Sequence, residues 1–221
     1  MQARSEKTGW IGDLLACWRE LVFWLLLLPA FGALESIDLR RQIVGLIETC
    51  AFLVLAISST GKLKSLGLEF ARWSRVAQFD AIICAVVGLM AGGAIVAVAC
   101  FAGQPLGVEN GWNKAVLAVS IGPILEEVIF RGYLFAAAVL LTSRMPVARS
   151  AGVSIFGIAA VFSIAHLSTP SITALQLCCI GLTGAMYGYI RFRFQSTAAA
   201  ALAHGMYNLA LYLSHWSGVW R

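Results

Sequence analysis

The sequence predicts an all-α fold, a polytopic transmembrane helical bundle of about seven to eight spans, and three observations predict it. Apolar residues make up 60% of the 221-residue chain and charged residues 12%, against roughly 45–50% and 25% in soluble domains. Mean hydropathy is +0.83. The apolar residues also fall in runs of the length a bilayer crossing needs, about 20 residues. A soluble domain of this size could not bury so much apolar surface, so lipid is the solvent over much of the chain. Disordered chains, nucleic-acid-binding arms and disulfide scaffolds are excluded as the main class.

The leader through Arg19 and Glu20 is long and mixed in charge, so the Leu-rich run after it reads as a retained first span. Spans are predicted at 21–34, 43–59, 81–102, 115–140, 150–167, 171–190 and 197–214. The first is short and can begin nearer Trp10 as an interfacial turn, while 81–102 carries no charge at all. With the N-terminus inside, eleven Lys and Arg, Arg191 and Arg193 among them, fall on the inner side and four on the outer. The positive-inside rule then gives N-in, C-out. That placement accounts for the net charge of +5 without invoking nucleic acid.

Six cysteines form no CxxC pair, and five of them lie in apolar segments, where a thiol behaves as a small hydrophobe. Gly88 and Gly92, and again Gly184 and Gly188, stand at the GxxxG spacing that lets helix backbones approach closely. Packing within the bundle is the expectation for both pairs, ahead of dimerisation, and the oligomeric state is left open.

An ionisable side chain inside a span is costly, so it marks a functional hypothesis. Within 115–140 the chain reads Pro123-Ile124-Leu125-Glu126-Glu127-Val128-Ile129-Phe130-Arg131-Gly132. Glu127 and Arg131 stand at i,i+4 and share a helix face, so they can pair. Glu126 is rotated by about 100° from Glu127 and is predicted to seek a partner on another helix. His166 lies near the end of one span, and His204 and Asn208 project from one face of another. His215, among Trp216 and Trp220, reads as an interfacial residue.

A charged carboxylate can take a proton from water, and a neighbouring imidazole can hold or relay it. His and Asn donors on one helix face can stabilise a developing oxyanion. Together these suffice to hydrolyse an amide with water as nucleophile. The zinc motif HExxH does not occur, and Asp13, Asp38 and Asp80 all lie away from the middle of a span, which disfavours a two-aspartate protease. Gly152-Val153-Ser154 begins like a nucleophile elbow but lacks the second glycine. Two other classes compete with hydrolysis. One is a non-catalytic membrane chaperone or immunity-type scaffold; the other is a proton- or ion-coupled carrier built on the same buried Glu, His and Arg.

Glu126-Glu127-x-x-x-Arg131, Phe162-x-x-x-His166 and His204-x-x-x-Asn208, in this order on separate apolar helices, resemble the three motifs of the CPBP family of intramembrane proteases. That family comprises type II CAAX prenyl endopeptidases and their Abi-type relatives, and the resemblance covers roughly residues 115–214. It implies that Glu126 is the general base, that His166 assists it, and that His204 and Asn208 support the oxyanion. Glu127 and Arg131 would hold the geometry, with Phe162 packed beside His166. It also implies a membrane-embedded or prenylated peptide as substrate, a multi-pass place in a bacterial plasma membrane, and a role in peptide maturation or self-immunity.

Residues 1–102 would then be family-variable transmembrane helices and 103–221 the catalytic core. The same resemblance leaves zinc possible, held by Glu126, His166 and His204 as a His₂Glu set. The working expectation is a glutamate–histidine water activator in which metal is optional. One conflict follows from straight spans, which put Glu126, His166 and His204 at different depths, so at least one boundary or tilt must differ from those given.

Overall fold

The computed structural model describes residues 70–218 except 106, 109, 170 and 171, together with isolated helical positions between 22 and 47. Apart from those positions, the predicted spans 21–34 and 43–59 lie outside the described residues. Every regular element among the described residues is helical. We number the helices from the first complete one. They are α1 (Phe70–Ala102), α2 (Trp112–Val119), α3 (Ile121–Glu127), a π-helical segment (Val128–Leu134), α4 (Phe135–Leu141), α5 (Val147–Ala165), α6 (Ala174–Phe194) and α7 (Thr197–Trp216).

Helix α1 shows why lipid is its solvent. Phe79, Ile82, Val86 and Met90 form one outward stripe and are all exposed, Met90 by 70%. The opposite stripe carries Cys84, Gly88 and Gly92, which are buried. A Cβ on Gly88 would overlap the backbone carbonyl of Ala203, and one on Gly92 would stand 2.7 Å from the carbonyl of Tyr207. Both glycines thus face α7, whose Ala199, Ala200 and Ala203 are almost fully buried against Cys84, Tyr187 and Tyr207. Gly188 faces Ile155 of α5 more loosely, where an added Cβ would stand 3.4 Å from its Cα. Both GxxxG pairs are therefore used within the chain, as the spacing predicts.

Only Phe79–Ala102 and Val147–Ala165, among the described helices, are both long and apolar enough to cross a bilayer. Their exposed apolar faces suit lipid, in keeping with an integral membrane protein. The expectation of seven spans is not established by these two.

Helix α7 is the centre of the bundle, packing against α1, α2, α3 and α6, while α5 packs along α6. Ends are defined by local chemistry. Gly103, with φ 62°, closes α1, and Gln104 N–H and Gly103 N–H bond back to the carbonyls of Ala99 and Cys100. Thr173 and Gln176 form a reciprocal capping box at the start of α6. Gln195 (φ 50°) then turns the chain so that Ser196 can cap α7.

The predicted single span 115–140 is not one helix. Pro123 has no N–H to give the Val119 carbonyl, and its ring crowds that group. The helix accordingly stops at Val119, bends at Ser120 and restarts at Ile121. Pro123 falls in the first turn of α3, where a missing donor costs nothing. The carbonyls around the break lie against α7, and one of them finds a donor there. Asn208 Nδ2 donates to the Ala118 carbonyl at 2.7 Å, and Gly205 lets the Val119 carbonyl approach so closely that a Cβ would stand 2.5 Å from it. The 150–167 prediction shifts towards the N-terminus, because α5 begins at Val147 and ends at Ala165, where His166 opens a short 3₁₀ turn.

Gly88→Ala should destabilise the protein by about 1–3 kcal/mol through overpacking against backbone. Gly93→Ala, at a position with open space around it, should be neutral or stabilising by up to about 1 kcal/mol. Thermal or denaturant unfolding in detergent micelles measures both.

Candidate active site

Glu127 closes α3 and Arg131 lies in the π-helical segment, both with 0% exposure. Arg131 Nη1 donates to Glu127 Oε1 at 3.0 Å, which is the pairing their spacing predicts. The same Oε1 accepts from His204 Nδ1 of α7, also at 3.0 Å. The carboxylate that reaches another helix is therefore Glu127, and not Glu126 as the rotation between the two suggested.

Arg131 does more than neutralise. Its Nη2 donates to the Gly184 carbonyl of α6 at 2.8 Å, and its guanidinium lies 4.3 Å from the Phe162 ring of α5. A Cβ on Gly184 would stand 3.1 Å from that Nη2 and from Phe162 Cδ1, so glycine leaves the space.

The π-helical turn widens the backbone here, as such turns often do at functional sites. Its Arg131 carbonyl accepts from Arg191 Nε of α6 at 3.2 Å. Arg191 is buried inside α6, which corrects its assignment to an inner loop. A long guanidinium can serve the core when its donors meet buried carbonyls.

A cavity of about 350 Å³ opens beside this cluster. Glu126, His166, His204 and Asn208 all line it. The bend at Ser120 and the early end of α5 thereby resolve the conflict of depths left by straight spans. Glu126 is half-buried and has no hydrogen-bond or ion-pair partner among the described residues. Glu127 and Arg131 do not line the cavity; they stand behind it.

Both imidazoles are fixed at the same atom. His166 Nδ1 lies 2.8 Å from the Phe162 carbonyl, which can only accept, so Nδ1 carries the proton. Phe162 also packs edge-on against that ring at 4.7 Å, as expected. His204 Nδ1 donates to Glu127. Each ring thus keeps Nε2 as its uncommitted nitrogen. Asn208 commits one of its two N–H groups to Ala118 and retains the second N–H and its carbonyl.

The resemblance allowed zinc on Glu126, His166 and His204. Among the described residues, no three His, Cys, Asp or Glu side chains are grouped as a metal ion would require. Glu127, which bonds His204 at Nδ1, is not one of the three, and its Oε1 is shared with Arg131. As packed here, Glu126, His166 and His204 share the cavity wall without being gathered into a His₂Glu ligand set.

Sequence reasoning missed Tyr187, Gly184 and Arg191 as parts of the site. Tyr187 stacks on His204 with ring centroids 4.7 Å apart and planes 17° from parallel. A tyrosine within an apolar helix was the available signal; its neighbour on α7 was not readable. His215 bonds Asn110 at the exposed end of α7, where the Trp112 and Trp216 rings pack at a tilt with centroids 4.4 Å apart, in keeping with an interfacial residue.

Comparison with family models matches residues 109–210 to the type II CAAX prenyl endopeptidase Rce1-like family, which supports the motif-based resemblance to CPBP proteins. Comparison with curated proteins and with solved structures returned no match.

Arg131→Met would leave the Glu127 carboxylate buried without its cation and should cost about 3–5 kcal/mol. Arg131→Lys should recover only part of this, since a single ammonium cannot reproduce the fork that serves Glu127 and Gly184 together. Unfolding midpoints of the two variants in micelles read the difference.

Proposed function

From the premise that residues 109–210 belong to the Rce1-like type II CAAX prenyl endopeptidases, we propose that the protein is an intramembrane endopeptidase. Its substrate is a membrane-embedded or lipid-modified peptide, and water is activated by Glu126. The observation that carries this reading is the shared cavity wall of Glu126, His166, His204 and Asn208, contributed by three separate segments of the chain. The rest of the wall is largely apolar, with Ile95, Ala99, Ile172 and Leu211 among it. Such a wall suits an aliphatic side chain or lipid tail beside the scissile bond.

In this mechanism Glu126 removes a proton from a water molecule, whose other hydrogen is held by His166 Nε2. The water oxygen bonds to the peptide carbonyl carbon, and the carbonyl π electrons move onto oxygen. His204, as an imidazolium with Nδ1 held on Glu127, donates from Nε2 to that oxyanion, and Asn208 adds its second N–H. Collapse breaks the C–N bond, and the proton on Glu126 passes to the leaving amine. The products are a carboxylic acid, which ionises, and an amine. Glu127 and Arg131 take no proton in this scheme; they set the ring plane of His204. The multi-pass arrangement, N-in and C-out, and a bacterial plasma-membrane location are carried with this reading as proposals.

Glu126→Gln should lower cleavage of a prenylated CAAX peptide by about 10²–10⁴-fold, the usual share of a general base. Its unfolding temperature should not fall, because Glu126 has no partner among the described residues to lose. Retained cleavage in that variant would overturn the assignment. Incubation with EDTA should leave wild-type cleavage unchanged, and loss on chelation with recovery on adding zinc would contradict the metal-independent scheme.

A further inference from the structure

Tyr187 is 1% exposed and its ring stacks on His204. Its hydroxyl is buried and has no hydrogen-bond partner among the described residues. The residue forms part of the cavity wall together with Glu126, His166, His204 and Asn208. The Arg131 guanidinium lies 5.4 Å from the centroid of its ring, so the ring borders the polar cluster. The neighbouring Tyr207 ring meets it edge-on at 6.4 Å.

A buried hydroxyl without a partner costs stability, and phenylalanine would fill the same space without that cost. Stacking on His204 gives no reason for the oxygen, because a phenyl ring stacks equally well. The described residues therefore give the hydroxyl no structural use.

The geometry points to Tyr187 as a further catalytic residue, its hydroxyl donating a hydrogen bond to the oxyanion formed when water adds to the peptide carbonyl. It would act beside His204 Nε2 and the Asn208 amide, and it rests on the hydrolase reading of the same cavity. Tyr187 keeps its proton throughout, so the proton transfers of hydrolysis are unchanged. A donor aimed at charge that develops only in the transition state accelerates kcat and leaves substrate binding alone.

The test compares wild type, Tyr187→Phe and Glu126→Gln of the full chain, in detergent, on one prenylated CAAX peptide. Tyr187→Phe should lower kcat by about 10²-fold with KM unchanged, while its unfolding temperature stays equal or rises. Wild-type kcat in Tyr187→Phe, or an effect confined to KM, would overturn the assignment. A lowered unfolding temperature would overturn it too, since the hydroxyl would then be bonded within the fold. Active Glu126→Gln would defeat the hydrolase reading itself. Inactive Glu126→Gln beside fully active Tyr187→Phe would defeat only the role of Tyr187.

Discussion

One carboxylate oxygen organises this bundle. Glu127 Oε1 holds Arg131 from the adjoining π-helical segment and His204 from α7, each at 3.0 Å and with Glu127 wholly buried. Through Arg131 the same tie extends to the Gly184 carbonyl on α6 and the Phe162 ring on α5. Five helical elements, α3, the π-helical segment, α5, α6 and α7, are registered around one charge. In lipid this matters more than in water, because tails are as apolar as leucine and hydrophobic burial does little to choose one helix partner over another. Close approach at small residues and buried polar ties make the choice instead. Gly88, Gly92 and Gly205 provide the first, and the Glu127 cluster provides the second.

The irregular backbone between Trp112 and Leu141 belongs to the same design. A proline three residues before the first glutamate interrupts the helix, and a π-helical turn follows the second. Irregular backbone at membrane depth is tolerated where protein satisfies its polar groups. Asn208 and Arg191 do so here, at the Ala118 and Arg131 carbonyls. Asn208 therefore has a structural duty alongside its proposed part in hydrolysis, and its place four residues after His204 serves both. The interruption leaves Glu126 on the cavity wall and Glu127 behind it, so adjacent residues of the same type acquire different surroundings. One is tied on two sides; the other has no partner among the described residues and is available to water.

Much of this was legible beforehand, for identifiable reasons. The helical class followed from composition, which a bilayer constrains tightly. The Glu127–Arg131 pair followed from spacing, because i,i+4 contacts depend on little beyond helix geometry. The cavity residues Glu126, His166, His204 and Asn208 stood out because ionisable and amide groups are conspicuous in apolar runs, and the Phe162–His166 contact followed from its one-turn separation. The same reasoning misjudged Arg191, since a cation near a span end reads as a loop charge unless a buried carbonyl is known to await it.

By itself the sequence determined what is periodic or local: apolar helices, glycines at packing spacing, an ion pair one turn apart and the kinds of group available for chemistry. Only the tertiary structure decided which glutamate meets His204, where the helix carrying both glutamates bends, and that Tyr187 stands against the imidazole. Those outcomes depend on contacts between residues far apart in the chain, such as Glu127 with His204 and Arg131 with Gly184. Spacing along one helix fixes the direction of a side chain about that helix axis. It carries no information about which neighbour the packed bundle will place in that direction.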